Sequence, residues 1–372
     1  MKICFLGIAT SPHIERQAVW FAGRGHEVHV ITFVDTKIKD VNIHYINMKL
    51  RYLPFGRISS LPLNIGRVKK TIKEIDPDIV NGQYLTNYGL YAACSGFHPL
   101  VLTAWGSDVL IEPKRFPFIK LLIKYSLKKG DVIICPSPAM EDEIIKLGAN
   151  PGKIKFSFFG VDTGEFSPPH RSEGLRQRLG ISDAPAVIST RGLSPIYDVE
   201  TLIKAIPLVL KEVPPAKFIV AGEGKQRNYL ESLSRRLGVS DSVKFVGLIP
   251  HNEISQYLAS SDVYVSTSLS DGVPNSLLEA MASGLAPVLT DIAANRLWIK
   301  DEENGFLVRV KDCEILASRI TRLLKDNKLR SKFGEMNRRL AKEKAEHKIQ
   351  MEELEKVYQG LLGQGEKAKG VS

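Results

Sequence analysis

The run DVYVSTSLSDGVPNSLLEAMASG, in the last third of the chain, places two acidic side chains, Asp271 and Glu279, around a loop rich in glycine and proline. Alternating valines before the loop predict a strand. Apolar residues at four-residue spacing after it predict a helix with Asn275 as its N-cap and Glu279 on its first turn. We expect the amides of Asn275, Ser276 and Leu277 to lack intrahelical partners and to attract phosphate. Carboxylates for hydroxyl groups and amides for phosphate together predict a nucleotide-sugar site.

Strand-like apolar runs alternate with helix-like segments in both halves of the 372-residue chain. Such alternation is typical of parallel sheets with right-handed crossovers, and the length suggests two domains. Glycine, proline and polar residues cluster at the boundary, over 160–174. We expect an α/β fold of two doubly wound, Rossmann-like parallel-sheet domains, residues 1–163 and 164–344, facing a central cleft. A helix over 345–362 is expected to pack back on the first domain, and 363–372 to be disordered.

Composition narrows the class of protein. No apolar run approaches the length needed to cross a bilayer, and the N-terminus lacks the features of a signal peptide, which predicts a cytoplasmic location. The four cysteines lack the spacing of metal ligands, so we expect reduced, structural thiols. The net charge of +10 points to an anionic partner. No aromatic stacking platform or helix-turn-helix pattern accompanies the charge, which argues against nucleic-acid binding.

The basic residues concentrate in two stretches of the first half, 51–73 and 114–129. In the second stretch, Phe116, Phe118 and several aliphatic residues interleave with lysines, which predicts an amphipathic helix. Such a helix either packs its apolar stripe on a sheet or lies on an anionic bilayer. Both interpretations stay open, and the second would place the protein peripherally on the inner face of a membrane.

The stretch SLSDGVPNSLLEAMASGLAPVLT resembles the retaining glycosyltransferases of family 4 (glycosyl transferases group 1, GT-B fold), and the resemblance covers nearly the whole chain. It implies that Glu279 accepts hydrogen bonds from the ribose hydroxyls of a donor nucleotide, as a carboxylate is suited to do. It places Asp271 near the transferred sugar, where the family more often has glutamate. The loop between them is implied to hold sugar hydroxyls and the diphosphate, through Gly272, Val273, Pro274, Asn275, Ser276 and Leu277.

Three further stretches resemble donor-side segments of the family. In STRGLSPIYD, Arg191 is the candidate ligand for the diphosphate, while Tyr197 stands where lysine is usual; a structural salt bridge for Arg191 is the alternative. AGEGKQRNYL resembles a loop that approaches the nucleotide, which makes Lys225 a possible helper. VKFVGLI resembles the strand and loop beside the donor base, around Gly247.

The first domain departs further from the family. TSPHIER, with His13, replaces the usual glycine pair, and Trp105 in VLTAWGSDVL replaces the usual histidine. We take His13 and Trp105 as weak candidates for the acceptor side, with an ordinary loop histidine as the alternative for His13. Asp108 follows a strand and either faces the cleft as a third catalytic candidate beside Asp271 and Arg191 or caps the next turn.

The resemblance implies transfer of a sugar, with retention, from a UDP-, GDP- or ADP-sugar to a hydroxyl of a glycan, a lipid-linked acceptor or a small molecule. No cofactor is expected. The only DxD look-alike, Asp76 and Asp78, lies in a helix-to-strand turn, so we expect catalysis without a metal. A nucleotide-sugar epimerase, a sugar phosphorylase and a catalytically silent nucleotide-sugar-binding protein remain alternatives.

Overall fold

The chain divides into two compact units in the computed structural model, which describes residues 1–47 and 61–369. Unit 1 comprises Met1–Phe159 together with the segment from Gln350 onward, and unit 2 comprises Gly160–Ile349. The sequence predicted the boundary between the two domains after residue 163, four residues later than the structure has it. It predicted the return of the chain to the first domain at residue 345 rather than 350. The segment 48–60, which holds part of the first basic stretch, lies outside the described residues.

Unit 1 is built on a seven-stranded parallel sheet with the order β3-β2-β1-β4-β5-β6-β7. Its strands are β1 (Lys2–Leu6), β2 (Glu27–Thr32), β3 (Asn42–Tyr45), β4 (Ile79–Gln83), β5 (Leu100–Thr103), β6 (Val132–Cys135) and β7 (Ile154–Phe156). Strands β1, β5 and β6 are mostly apolar and buried, as expected where helices cover both faces of a parallel sheet, whereas β4 also carries buried Asn81 and Gln83. The strand order reverses between β1 and β4, so the carboxyl ends of these strands mark the ligand edge of the sheet.

The helices of unit 1 are α1 (Pro12–Gly23), α2 (Leu61–Ile75), α3 (Tyr88–Ser95), α4 (Ser107–Leu110), α5 (Glu112–Arg115), α6 (Ile119–Lys129) and α7 (Pro138–Lys146), with a 3-10 turn at Pro151–Lys153. In α6, Ile123 and Leu127 are buried in the core, so the predicted apolar stripe does pack on the unit. Other apolar side chains of this segment remain exposed.

Unit 2 repeats the architecture with a six-stranded parallel sheet of order β10-β9-β8-β11-β12-β13. Its strands are β8 (Ala186–Ser189), β9 (Lys217–Ala221), β10 (Val243–Gly247), β11 (Val263–Ser266), β12 (Ala286–Thr290) and β13 (Phe306–Val308). Its helices are α8 (Glu173–Arg178), α9 (Val199–Glu212), α10 (Arg227–Arg236), α11 (His251–Ala259), α12 (Asn275–Ala282), α13 (Ala293–Arg296), α14 (Cys313–Lys325) and α15 (Asn327–Lys344), with 3-10 turns at Pro168–His170, Pro195–Tyr197 and Ser240–Ser242. Here the strand order reverses between β8 and β11.

The last helix, α16 (His347–Lys369), joins unit 1 from Gln350 onward. Met351, Leu354 and Tyr358 are buried in the same apolar cluster as α1 and the central strands. Glu355 accepts hydrogen bonds from His26 (2.6 Å) and Arg24 (3.1 Å) of the N-terminal part of the unit. The helix continues to Lys369, whereas the sequence predicted disorder from residue 363. No helix within the described ranges is both long and apolar enough to span a bilayer.

Candidate functional site

At the carboxyl edge of the unit 2 sheet, the loops after neighbouring strands are joined by backbone hydrogen bonds. The amide of Leu193, after β8, donates to the carbonyl of Glu223, after β9 (2.9 Å), and the amide of Gln226 returns a bond to Leu193 (3.0 Å). The amide of Leu269, after β11, donates to the carbonyl of Ile196 (2.8 Å). These bonds make the loops one continuous layer over the reversal in strand order, where ligands of such sheets bind.

The two glycines of the β9 loop permit this close approach. A Cβ on Gly224 would lie 2.1 Å from the carbonyl oxygen of Leu193, and one on Gly222 would lie 2.5 Å from that of Arg191. Gly222 also has a φ of +135°, which side-chain-bearing residues rarely adopt. Lys225, the predicted helper, is exposed on this loop. Gly247, the predicted base-side residue, ends β10 and accepts the amide of Gly222 (2.7 Å), so it lies at the same edge.

Arg191 is the centre of the candidate site and contacts two other predicted site residues. Its Nη2 donates to Oδ2 of Asp271 (2.6 Å) and its Nη1 donates to Oγ of Ser276 (2.8 Å). The guanidinium carbon lies 4.3 Å from the ring centroid of Tyr197, in cation–π geometry. Burial opposes the charge of Arg191, but the nearby Asp271 carboxylate raises its pKa, so the group stays cationic. The salt bridge that the sequence left as an alternative therefore exists, and its partner is another predicted site residue, Asp271.

The hydroxyl of Ser276 is oriented by two donors. Its oxygen accepts from Arg191 and from the phenol of Tyr264 (2.8 Å). A hydroxyl oxygen has two lone pairs, so both are used and the Ser276 hydrogen is left to donate elsewhere. Tyr264, which sequence reasoning missed, is fully buried on β11 and occupies an inward position of an ordinary apolar strand.

Asp271 is held from both sides. Its Oδ1 accepts the amide of Gly272 (2.9 Å), and its Oδ2 takes the ion pair with Arg191. Burial raises the pKa of the Asp271 carboxyl, and Arg191 opposes that rise. With both carboxylate oxygens paired, the chief visible action of Asp271 is to fix the Arg191 guanidinium.

The start of α12 differs from the prediction. Asn275 is the first helical residue rather than the N-cap, which is Pro274, and its side chain makes no cap. The amide of Asn275 donates to Val273 (3.0 Å) and that of Leu277 to Pro274 (2.8 Å). The prediction that these two amides are unpaired was wrong, because the proline turn folds back and supplies acceptors. Oδ1 of Asn275 is buried without a hydrogen-bond partner in the described part of the chain.

Glu279 lies on the second turn of α12, not the first, since the helix begins at Asn275. It is half-buried and close enough to Tyr264 to act on it electrostatically. Burial raises the pKa of the Tyr264 phenol, Arg191 lowers it, and Glu279 adds to the rise. Glu279 and Arg191 therefore both act on the buried Tyr264 phenol.

In unit 1, Asp108 lies inside α4, whose N-cap is Gly106, and it binds backbone amides. Its side chain is fully buried and accepts backbone amides from Leu85 (2.8 Å), Gly106 (2.8 Å) and Trp105 (3.1 Å). Burial raises the pKa of its carboxyl to about 6, although the three amides favour the charged form. The sequence left capping of the next turn as one role, whereas the structure places Asp108 within α4, where its contacts hold the loop that carries Trp105.

His13 and Trp105 lie together at the carboxyl edge of the unit 1 sheet. Their rings meet edge to face at 5.3 Å between centroids, and His13 also stacks on Phe159 at 4.4 Å. Burial lowers the pKa of His13 to about 4, and Arg16 adds to this, so the imidazole is neutral near pH 7. The Nε1 of Trp105 donates to the buried Gln83 (2.7 Å). The aromatic partner Phe159 was missed because nothing in its sequence context distinguishes it.

Tyr84 was also missed, although it directly follows β4 at the ligand edge, where the carboxyl-end rule would have found it. Its φ is +66°, a conformation that costs a tyrosine of order 1–3 kcal/mol. Its carbonyl accepts the amides of Asn87 (3.1 Å) and Gly89 (3.0 Å) at the start of α3. Its hydroxyl donates to Glu112 (2.5 Å). Strain sustained by surrounding contacts is typical of functional sites.

Comparisons with known proteins agree with this architecture. The family description "Glycosyl transferases group 1" matches residues 172–340, and "Glycosyl transferase 4-like" matches residues 2–137. The chain is 28% identical to the putative glycosyltransferase EpsD of Bacillus subtilis, over 95% of this chain and 94% of that protein. It is 27% identical to the alpha-monoglucosyldiacylglycerol synthase of Streptococcus pneumoniae, over 76% of this chain and 67% of that protein. The crystal structure of HepE from Anabaena in complex with UDP and glucose superposes with a TM-score of 0.83 at 21% identity, covering 97% of this chain and all of that one.

Proposed function

The chain belongs to the group 1 glycosyl transferases and has the GT-B fold, and on that premise we propose that it transfers a sugar from a nucleoside-diphosphate-sugar to a hydroxyl acceptor with retention of configuration. The observation that carries the proposal is Arg191, a buried cation held between Asp271 and Ser276 at the start of α12. A UDP-sugar is the first donor to test, because HepE was crystallised with UDP and glucose. GDP- and ADP-sugars are the alternatives.

The chemistry requires stabilisation of a leaving diphosphate, on which negative charge develops as the sugar departs. Two of the five N–H groups of Arg191 are used by Asp271 and Ser276, and its Nε has no hydrogen-bond partner in residues 1–47 and 61–369. The remaining Nη hydrogens of Arg191 and the Ser276 hydrogen would bind the phosphate oxygens. Glu279 would accept the ribose hydroxyls. The Arg191 charge supports a reaction in which these groups, rather than a metal, neutralise the diphosphate.

Release of nucleoside diphosphate tests this function directly. We would incubate the protein with UDP-, GDP- and ADP-glucose and follow the nucleotide and the sugar separately. Slow hydrolysis or transfer supports the proposal, whereas an epimerised donor, a sugar phosphate formed only with inorganic phosphate, or binding without turnover would favour the three alternatives in that order.

The role of Glu279 is tested by Glu279→Gln. Loss of charge-assisted hydrogen bonds to ribose should raise the KM for the donor about ten- to hundredfold. Glu253→Gln, an exposed change on α11, is the matched control and should leave KM unchanged. Equal donor KM values for Glu279→Gln and the parent protein would contradict the assignment.

The acceptor side includes a proposed contact with an anionic membrane. Phe116, Phe118, Leu121 and Tyr125 are 41%, 55%, 72% and 42% exposed. Exposed cations surround them at Lys114, Arg115, Lys120, Lys124, Lys128 and Lys129. Apolar side chains that project among lysines are suited to the interface of an anionic bilayer.

Flotation with anionic and neutral vesicles, at low and high salt, tests this contact. We expect binding to anionic vesicles that weakens with salt and falls in Leu121→Ser. Leu248→Ser, which changes a leucine that is 79% exposed in unit 2, is the control. Absence of binding to anionic vesicles at low salt would remove the membrane from the proposal.

A further inference from the structure

A group of aromatic side chains lies at the carboxyl edge of the unit 1 sheet, and the proposed donor site does not use it. Phe159 stacks on His13, His13 meets Trp105 edge to face, and Trp105 meets Tyr84 edge to face at 6.2 Å between centroids. All four side chains are partly exposed. We call these four residues the aromatic cluster. Partly exposed rings at the ligand edge of a parallel sheet are positioned to contact a ligand.

Hydrogen bonds from buried residues hold the Trp105 side chain of the cluster in place. The Nε1 of Trp105 donates to Gln83, whose own amide donates to Gln17 (3.0 Å), and both glutamines are buried. The backbone of Trp105 is fixed by Asp108. A ring held by buried hydrogen bonds loses little further freedom when a ligand packs on it.

Polar groups border the rings on one side. The two carboxylate oxygens of Glu112 accept from Tyr84 (2.5 Å) and from the Thr86 hydroxyl (2.6 Å), and the Tyr84 oxygen lies 3.0 Å from the exposed Oγ of Ser107. Each carboxylate oxygen can accept more than one hydrogen bond, so half-buried Glu112 keeps capacity for a ligand hydroxyl. Ser107 can also donate.

This combination matches a sugar ring. One face of a pyranose is a flat set of C–H groups that packs on an aromatic ring, and its rim carries hydroxyls that a carboxylate accepts. The glycerol of a diacylglycerol presents one hydroxyl and two acyl chains, and it has no sugar ring to pack on the aromatic side chains. Neutral His13 also contributes a ring rather than a cation.

We propose that the aromatic cluster binds the acceptor, and that the acceptor hydroxyl belongs to a saccharide ring rather than to the glycerol of a lipid. The inference rests on the proposed function, which supplies the reason for an acceptor. Glu112 is its specificity-determining residue.

The fluorescence of Trp105 reports directly on the cluster. The chain has three tryptophans, so Trp20→Phe with Trp298→Phe leaves Trp105 as the sole reporter. The probes are methyl α-glucoside, methyl α-galactoside and methyl N-acetyl-α-glucosaminide, against dioctanoylglycerol. We expect a saturable change in Trp105 emission with at least one glycoside and none with dioctanoylglycerol.

Glu112→Gln should raise the dissociation constant of that glycoside at least tenfold, because the amide presents donors where Tyr84 and Thr86 already donate. Glu74→Gln is the matched control: it removes an exposed carboxylate from the same unit, and glycoside binding should not change. Saturation by dioctanoylglycerol alone, no response to any glycoside, or equal effects of the two variants would overturn the inference.

Donor hydrolysis measured on the same preparation keeps the two proposals separate. Release of nucleoside diphosphate without a glycoside response refutes the saccharide acceptor and leaves the transferase function standing. A glycoside response without release from any donor refutes the transferase function instead.

Discussion

Replacing Arg191 by methionine should destabilise unit 2 far more than the loss of an ordinary ion pair. The side chains of Arg191 and Asp271 are only 10% and 17% exposed. Removing one partner of such a pair leaves an uncompensated charge in the interior and costs about 3–5 kcal/mol. Methionine keeps the apolar stem, so the loss is mainly electrostatic.

The same unit contains a matched control. Arg296 pairs with Asp291 through two hydrogen bonds (2.5 and 2.8 Å), but these side chains are 63% and 35% exposed. Exposed pairs contribute about 0.2–1 kcal/mol. Arg296→Met should therefore lower the free energy of unfolding by about 1 kcal/mol or less.

Urea unfolding measures both changes. Trp298 is the only tryptophan of unit 2, so Trp20→Phe with Trp105→Phe makes fluorescence report on that unit. Adding Asp271→Asn to Arg191→Met should recover part of the lost stability, because the unpaired carboxylate is removed. Turnover should fall about 10²–10³-fold in Arg191→Met, as for loss of a preorganised donor. Equal destabilisation by Arg191→Met and Arg296→Met, or full activity in the former, would refute the reasoning.

Three further predictions concern the two units. Gly224→Ala should cost about 1–3 kcal/mol, since its Cβ would meet the Leu193 carbonyl oxygen. Gly174→Ala on α8, whose Cβ would lie at an ordinary contact distance of 3.9 Å from Ser172 Oγ, should be neutral or stabilising in the same urea assay. Equal effects of the two changes would contradict the predicted clash at Gly224. In unit 1, the raised pKa of Asp108 contributes stability that is present below pH 4 and is lost as pH rises to about 6. The lowered pKa of His13 contributes stability that is present above pH 6.5 and is lost as pH falls to about 4. Each contribution amounts to about 3 kcal/mol. Asp108→Asn leaves the contribution of His13, so the free energy of unfolding should rise with pH over this range, whereas His13→Phe leaves that of Asp108, so it should fall. Parallel pH profiles of the two variants would exclude the two pKa shifts. Tyr358→Phe removes the acceptor of the buried Asn81 amide and should cost about 1–3 kcal/mol by thermal unfolding, against little change for the exposed Tyr125→Phe.

The sequence predicted the fold well because its signals are local. Short apolar runs and the helices between them specify both parallel sheets, and the acidic pair with its proline loop identifies the edge where Arg191 and Ser276 meet. The prediction that failed, unpaired amides at the start of α12, depends on how the backbone turns there. The amide of Asn275 bonds back to Val273, which no spacing of residue types announces.

Contacts between residues far apart in the chain could also not be predicted from the sequence. Phe159 joins His13 across more than a hundred positions, and Glu112 meets Tyr84 only because α5 folds over the end of β4. Asp108 was correctly placed after a strand, but its role in holding the loop depends on three amides whose positions only the structure provides.

The closure of unit 1 by α16 has a consequence for how the protein is made. The ribosome finishes the first 159 residues, then synthesises all of unit 2, and only then releases the helix that buries Phe21 beside Tyr358. At about 5–20 residues per second, the apolar cluster around α1 stays incomplete for on the order of 10–40 s, until Tyr358 has been synthesised. During that interval an apolar face of the nascent chain is open to chaperones or to aggregation. A chain that stops short of Gln350 would keep that face permanently uncovered.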